Sequence, residues 1–109
     1  EMGQPYSAFA NIALAQVYYL RGDRRQADAY LSRVPDTSFA ASGKYMLMGD
    51  MAARENRRDQ AAAAYEKSLA INSGQRQVWE QLITLYSGFD PEKARQASEK
   101  LKVIASFYD

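Results

Sequence analysis

Apolar residues recur along the chain at the three- and four-residue spacing of amphipathic helices, separated by short stretches rich in Gly, Asn, Asp and Pro. This pattern predicts six helices. The first is expected over 6–20, the second is expected to end at Pro35, and the fourth is expected over 58–71. The last helix is expected to run from Pro91 to about residue 108.

Residues with special turn or capping properties lie between the expected helices. Gly22 and Asn56 hold equivalent turn positions, as expected where the backbone needs a positive φ. The sequence 90–92, Asp-Pro-Glu, favours a helix start because aspartate caps, proline fits the first turn and glutamate suits the positive end of the dipole. The polar segment 36–38 is expected to cap the third helix.

The chain repeats itself with a period of 34 residues. Pairs at this separation are Tyr45 and Trp79, Met48 and Leu82, Ala27 and Ala61, and Gly22 and Asn56. Because a helical hairpin cannot bury its own apolar face, copies of such a unit stack into a solenoid. We therefore predict a single domain over 1–109, with repeats at about 8–41, 42–75 and 76–109, either whole or as a fragment of a longer protein.

Small residues are expected where the two helices of a hairpin cross. Ala15 and Gly49 share one repeat position, and Ala27 and Ala61 share another. Such residues let helix axes approach to the roughly 8–10 Å of ridge-in-groove packing. The third copy departs from the register, because Ala61 and Ala94 are 33 residues apart.

These positions together resemble the tetratricopeptide repeat, whose unit has an aromatic residue, a Leu-Gly pair, a turn Gly, a small Ala and a second aromatic residue. In the second copy they read Tyr45, Met48-Gly49, Asn56, Ala61 and Tyr65. The first copy is weaker, since Asn11 stands at the first aromatic position. The resemblance implies an all-α fold: a right-handed superhelical solenoid of about three helix-turn-helix hairpins, with six helices.

The resemblance also implies that the first helix of each hairpin lines a concave groove that binds a peptide or helix of another protein. The groove positions are Phe9, Ile12, Gln16, Tyr19, Leu20, Met46, Asp50, Arg54, Gln77, Glu80 and Thr84. Tyr19 and Ile12 would anchor an amphipathic segment, and the charged positions would fix its orientation. The alternative is that Tyr19 and Leu20 pack on an N-terminal segment or a neighbouring loop.

One function known in this family is not expected. Chaperone-binding members hold a terminal carboxylate with Lys, Asn and Arg side chains on their groove helices. The corresponding residues are Ile12, Gln16, Leu47, Gln77 and Gln81. A carboxylate would meet no cation at these positions, so the resemblance does not extend to a co-chaperone role.

Two further surfaces carry alternatives. The basic pairs 24–25 and 57–58 are expected on one edge of the solenoid, either solvated and neutralised by neighbouring acidic residues or binding a phosphate or an acidic partner. On the last helix, Val103 and Phe107 form a second apolar stripe. This stripe would pair with another copy or with more of a longer solenoid, unless Phe107 folds back on Phe89.

Composition mainly excludes functions. The net charge is +1 and evenly spread, which argues against nucleic acid as a partner. No apolar run approaches the roughly 18 residues of a membrane span, and 1–5 does not read as part of a signal peptide. Without His or Cys, we expect no enzyme, metal site or cofactor. Asp50 and Glu80 could approach as a carboxylate pair, but Asp50 is expected to pair with Arg54 instead.

The expected function is a protein–protein interaction scaffold that binds a segment of a partner in its groove. The alternative is a structural or self-associating module that uses the terminal-helix apolar face. The Ala- and Arg-rich composition looks bacterial. Family resemblance then suggests an envelope secretion, pilus or polysaccharide-export assembly, in the cytoplasm or the periplasm, with tethering through a segment outside this chain as one arrangement.

Overall fold

The computed structural model describes residues 7–108, which fold into helices joined by short turns. The helices are α1 (Ala8–Leu20), α2 (Arg24–Leu31), α3 (Ala41–Arg54), α4 (Arg58–Ile71), α5 (Arg76–Phe89) and α6 (Pro91–Tyr108). No strand occurs within this range, so the prediction of an all-α fold with six helices is confirmed. Tyr6, where the first helix was expected to begin, lies outside the described residues.

Successive helices pair as three hairpins, α1 with α2, α3 with α4 and α5 with α6. Contacts of α1 with α3 and of α4 with α5 join one hairpin to the next. Each helix therefore buries one face within its hairpin, and the hairpins cover one another as expected for a helical repeat.

The turn and capping predictions are largely confirmed. Gly22 has a φ of 85° and Asn56 a φ of 60°, the left-handed conformation that only Gly and Asn accept at low cost. The Asp23 carboxylate accepts a hydrogen bond from the Gln26 N–H at 3.1 Å and so caps α2. At the start of α6, Asp90 accepts from the Lys93 N–H at 3.2 Å.

The connection between α2 and α3 differs from the prediction. The second helix ends at Leu31 rather than at Pro35, and α3 begins at Ala41 without a side-chain cap. Asp36 does not cap it, because its carboxylate accepts hydrogen bonds from the Lys44 ammonium at 2.6 Å and the Tyr45 hydroxyl at 2.7 Å. Lys44 also donates to the Val34 carbonyl at 2.8 Å, so this buried lysine ties the connection to α3.

Small residues occupy the helix crossings, as the spacing predicts. A Cβ atom on Gly49 would lie 2.5 Å from Cε1 and 2.6 Å from Cδ1 of the Tyr65 ring, closer than packed atoms approach. Ala15 holds the same repeat position in α1 and is fully buried, as are Ala27 and Ala61 in the second helices. The absence of a side chain at Gly49 therefore permits the α3–α4 crossing.

The buried apolar residues form two clusters. The smaller joins the first and second hairpins and consists of Ala15, Ala27, Leu31, Leu47 and Met51. The larger joins the second and third hairpins and consists of Ala52, Ala61, Ala62, Tyr65, Leu69, Val78, Trp79, Leu82, Tyr86, Ala94 and Ala97. The first helices α1, α3 and α5 are thereby held side by side, with a cleft between them.

Candidate functional site

The cleft between the first helices has a volume of about 540 Å³ and draws its lining from all three hairpins. Its lining residues are Gln16, Tyr19, Leu20, Leu47, Asp50, Met51, Ala53, Arg54, Tyr65, Gln77, Glu80, Gln81, Thr84 and Leu85. We call this surface the concave cleft. Most of the groove positions expected from the sequence are among them.

Three of the expected groove positions do not line the concave cleft. Phe9 lies near the start of α1 and is largely exposed, while Ile12 packs against the smaller apolar cluster. Met46 packs against the larger cluster, between the second and third hairpins. Ile12 and Met46 are thus partly used by the fold itself.

Tyr19 contributes both to the fold and to the cleft. Its hydroxyl group donates weakly, at 3.4 Å, to the Met51 carbonyl and to the Glu55 carboxylate, and Arg24 lies over its ring. The side chain is therefore held against α3 and presents only part of its ring. Leu20 is 61% exposed and is the more open apolar contact at this end of the cleft.

Asp50 is held by a residue that the sequence pattern did not pair with it. Its carboxylate accepts a hydrogen bond from the Tyr65 hydroxyl at 2.5 Å. Burial, and then this bond, raise the pKa of Tyr65 above its usual range, so the phenol stays protonated. The Asp50–Arg54 ion pair expected from their spacing is not found among the described side chains. Close approach at Gly49 carries the Tyr65 hydroxyl to Asp50 instead.

The rest of the lining combines acceptors with apolar side chains. Glu80 lies beside the half-buried Gln81, whose Oε1 atom is buried and accepts no hydrogen bond from the described residues. Arg54 is the one cation among the described residues that line the cleft. Leu47, Gln77 and Gln81, named above as candidate carboxylate-binding positions, line the cleft and carry no charge. The groove positions expected from the sequence did not include Tyr65 and Leu85, which line the cleft in the structure.

The basic edge is partly neutralised, as one of the sequence interpretations expects. Arg24 donates to Asp28 at 3.0 Å and also to Glu55, which joins α2 to the end of α3. The hydrogen bond from Arg24 is the main cause that lowers the pKa of Glu55 below its usual value. Arg24 is thus occupied by two carboxylates in this structure.

The apolar stripe of α6 faces outward. Val103 is 60% exposed and Phe107 is 81% exposed. The Phe89 ring packs on Tyr86 with ring centroids 5.6 Å apart, so the interpretation in which Phe107 folds back on Phe89 is wrong. The side chain of Tyr108 lies outside the described residues.

Within residues 7–108, no group of three or more Asp, Glu, His or Cys side chains is arranged to hold a metal ion. None of the helices described has the length and apolar character needed to span a bilayer.

Comparison with known families gives one result that covers most of the chain. Residues 2–88 match the family model described as a tetratricopeptide repeat-like domain. No curated protein matches the sequence. The matched range runs from before α1 into α5, across the helices that line the concave cleft. A domain of this kind indicates a protein–protein interaction module, and such domains are typically scaffolds rather than enzymes.

Proposed function

Because the chain belongs to the tetratricopeptide repeat-like family, we propose that it binds a segment of another protein in the concave cleft. The observation that carries this proposal is the cleft itself, with about 540 Å³ between α1, α3 and α5. Fixed helices form its walls, so a partner segment would meet a preformed surface. Binding to a preformed surface costs less conformational entropy than folding around a ligand.

The lining defines the chemistry that the partner would need. Leu20 and Leu85 offer apolar contacts at the α1 and α5 sides, where an apolar side chain of the partner would be desolvated. Asp50 and Glu80 are acceptors on neighbouring first helices and suit a Lys or Arg side chain. Arg54 follows Asp50 by one helical turn and would orient an acidic group on the same segment. An amphipathic helix or extended peptide with these features fits the cleft.

A matched pair of substitutions on α5 tests the proposal. Thr84 lines the cleft and Ser87 does not; both side chains are exposed and bond a backbone carbonyl one turn earlier, at 2.9 Å. Affinity capture from cells of the source organism, followed by calorimetry on the purified partner, would compare Thr84→Arg with Ser87→Arg. We expect Thr84→Arg to weaken binding by about tenfold or more and Ser87→Arg to leave it unchanged. Equal affinity of both variants for the partner would exclude the concave cleft as the binding site.

A second candidate function is self-association, favoured by the exposure of Val103 and Phe107. In this arrangement the outer side of α6 would pack on another copy of the chain. Analytical ultracentrifugation of wild type and of Phe107→Glu separates the two functions. A dimer that the substitution abolishes would support self-association, whereas a monomer at all concentrations would remove this candidate.

A further inference from the structure

The outer side of α6 is not the face on which another repeat would stack. In this register α4 and α6 align with an offset of 33 residues, as Ala61 and Ala94 show. Ala62 and Leu69 of α4 are buried in the cluster that contains Val78 of α5. The equivalent α6 residues are Arg95 and Lys102, both exposed and charged.

Arg95 is fixed in that exposed position by its own helix. It pairs with Glu92 and, at 2.8 Å, with Glu99. A hairpin stacked in the same register would have to bury this charge network, which is costly. Val103, in contrast, corresponds to Ala70, which is exposed on α4. The apolar stripe of α6 therefore calls for an occupant other than a stacked repeat.

A second cleft lies beside this stripe, between α4 and α6, with a volume of about 400 Å³. Its buried floor consists of Leu69, Trp79, Leu82, Tyr86 and Ala97. Its exposed rim consists of Glu66, Ala70, Lys93, Gln96 and Lys100. The second helices α4 and α6 form its sides and α5 supplies most of its floor, and it shares no lining residue with the concave cleft.

The rim of this second cleft is basic. Its one carboxylate among the described lining residues, Glu66, accepts a hydrogen bond from the Tyr86 hydroxyl. Neither Lys93 nor Lys100 forms an ion pair with a described side chain, and the Lys93 Nζ atom lies 5.6 Å from the centroid of the Tyr86 ring. Two ammonium groups therefore flank an apolar floor and are available to an external carboxylate.

The basic rim continues into a further apolar hollow along α6. That hollow, of about 440 Å³, is lined by Gln96, Glu99, Lys100, Val103 and Ile104. It shares Gln96 and Lys100 with the cleft between α4 and α6. Along α6 the surface thus runs from an apolar floor, past Lys100, to a second apolar contact. We call this continuous strip the α6 surface.

From this charge and shape we propose that the α6 surface binds an acidic amphipathic segment of a partner protein. One apolar side chain of the segment enters the cleft over Trp79 and Leu82. A carboxylate beside it pairs with Lys93 or Lys100, and a second apolar side chain covers Val103. The two sites differ in the charge they favour. The lysines of the α6 surface favour a carboxylate, whereas Asp50 and Glu80 in the concave cleft favour a cation.

The test uses the full chain and a displayed library of random peptides of about 16 residues, long enough for roughly four helical turns. Wild-type protein selects binders, and calorimetry then measures each selected peptide on Lys100→Glu. The matched control is Lys102→Glu, with the same charge change on the same helix but outside the α6 surface. Circular dichroism verifies that each variant remains folded.

We expect selection to enrich a class of peptides that combines Asp or Glu with large apolar residues. Members of this class should bind Lys100→Glu at least about tenfold more weakly than wild type and bind Lys102→Glu normally. Val103→Ser should weaken the same peptides several-fold. Thr84→Arg, in the concave cleft, should leave them unaffected, so the result is independent of the function proposed above.

Several outcomes would overturn the proposal. Enrichment of no acidic class, or equal binding of that class to Lys100→Glu and Lys102→Glu, would show that the lysine rim recognises no such segment. Binding to vesicles of anionic phospholipid, without an acidic peptide class, would assign the surface to a membrane. A Phe107-dependent dimer that excludes the peptides would assign it to a second copy of the chain.

Discussion

The first and second hairpins solve the same crossing with different pairs of residues. Ala15 faces the second helix at the position that Gly49 holds one repeat later, and Leu31 corresponds in the same way to Tyr65. All four residues are buried. The smaller first-helix residue, Gly49, faces the larger second-helix residue, Tyr65, and the larger Ala15 is paired with the smaller Leu31. The third hairpin has Ile83 and Ser98 at these positions, which reverses the sizes. The comparison indicates that the summed volume of a pair is constrained, rather than the identity of either residue.

The two hairpins also differ in how they are joined to their neighbours. The second is joined to the third by the larger apolar cluster. The first is joined to the second by a smaller cluster, supplemented by polar contacts of Tyr19 and Arg24 with Glu55. We therefore expect the contact between the first and second hairpins to be more sensitive to changes of side-chain charge. The packing within the second hairpin should be more sensitive to changes of side-chain volume.

The largest effect is expected from adding one methyl group to the second hairpin. Gly49→Ala would place Cβ 2.5 Å from the Tyr65 ring, which is buried and has little room to move. We expect the free energy of unfolding to fall by about 3 kcal/mol, since overpacking outweighs the gain in helix propensity. Urea denaturation measures this change.

Gly43→Ala is the matched control on the same helix. There an added Cβ would meet only Ile12 Cδ1, at 3.5 Å, which is ordinary contact. We expect no loss of stability and a gain of up to about 1 kcal/mol from helix propensity. A similar loss at both glycines would contradict the steric explanation.

A smaller effect should appear as rescue. Adding Tyr65→Leu to Gly49→Ala recreates the Ala and Leu pair of the first hairpin. Although Tyr65→Leu removes the hydrogen bond to Asp50, we expect the double variant to be more stable than the sum of the single changes by about 2 kcal/mol. A double-mutant cycle in urea measures this coupling energy. Additive losses would show that the pairs are not interchangeable between hairpins.

The smallest effect concerns pH at the first junction. Arg24 lowers the folded-state pKa of Glu55 below its ordinary 4.5, and Lys44 with Tyr45 lowers that of Asp36 below 3.8. Depressed carboxyl pKa values stabilise the fold above those ordinary values, and this stabilisation is lost as the pH falls through the folded-state values. Hydrogen exchange should therefore show α1 and α2 losing protection in acid before α4 and α5.

Glu55→Gln tests the source of that pH dependence. It removes the titrating carboxylate while keeping a side chain of similar size, so the loss of protection in acid should be smaller than in wild type. An unchanged pH profile would mean that the Arg24–Glu55 contact does not hold the first hairpin. Thr84→Arg, distant from this junction in sequence and lacking a carboxyl change, serves as the reference variant.

Local signals in the sequence predicted the turns and the helix starts beside them, whereas the stacking of hairpins was predicted from the 34-residue period. Gly22, Asn56 and Asp90 act within their own turns, so their roles follow from neighbouring residues alone. The same local reasoning predicts a cap for α3 from Asp36, Thr37 or Ser38, but α3 has no side-chain cap and Asp36 is bonded elsewhere. Its actual donors, Lys44 and Tyr45, come from the next helix. Local propensity does not reveal such a competition.

The candidate site was predictable in position but less so in chemistry. Repeat register placed Gln16, Asp50 and Glu80 on the concave side, and these residues do line the cleft. Spacing along α3 favoured an Asp50–Arg54 pair, whereas the structure pairs Asp50 with Tyr65. That contact depends on the close helix crossing at Gly49, which is a property of two helices together. The basic rim of the α6 surface could likewise not be predicted from the sequence. The cleft that its lysines flank lies between α4 and α6, so it depends on how these two helices are positioned relative to one another.

Trp79 gives the molecule a built-in optical reporter. It is the single tryptophan of the chain, is only 8% exposed, and donates its indole N–H to the Ser73 carbonyl at 2.8 Å. Excitation above the tyrosine band would therefore report on one site alone, at the junction of the second and third hairpins and in the floor of the α4–α6 cleft. Its emission should shift to longer wavelength when that junction opens, and should change without unfolding when the cleft above it is filled.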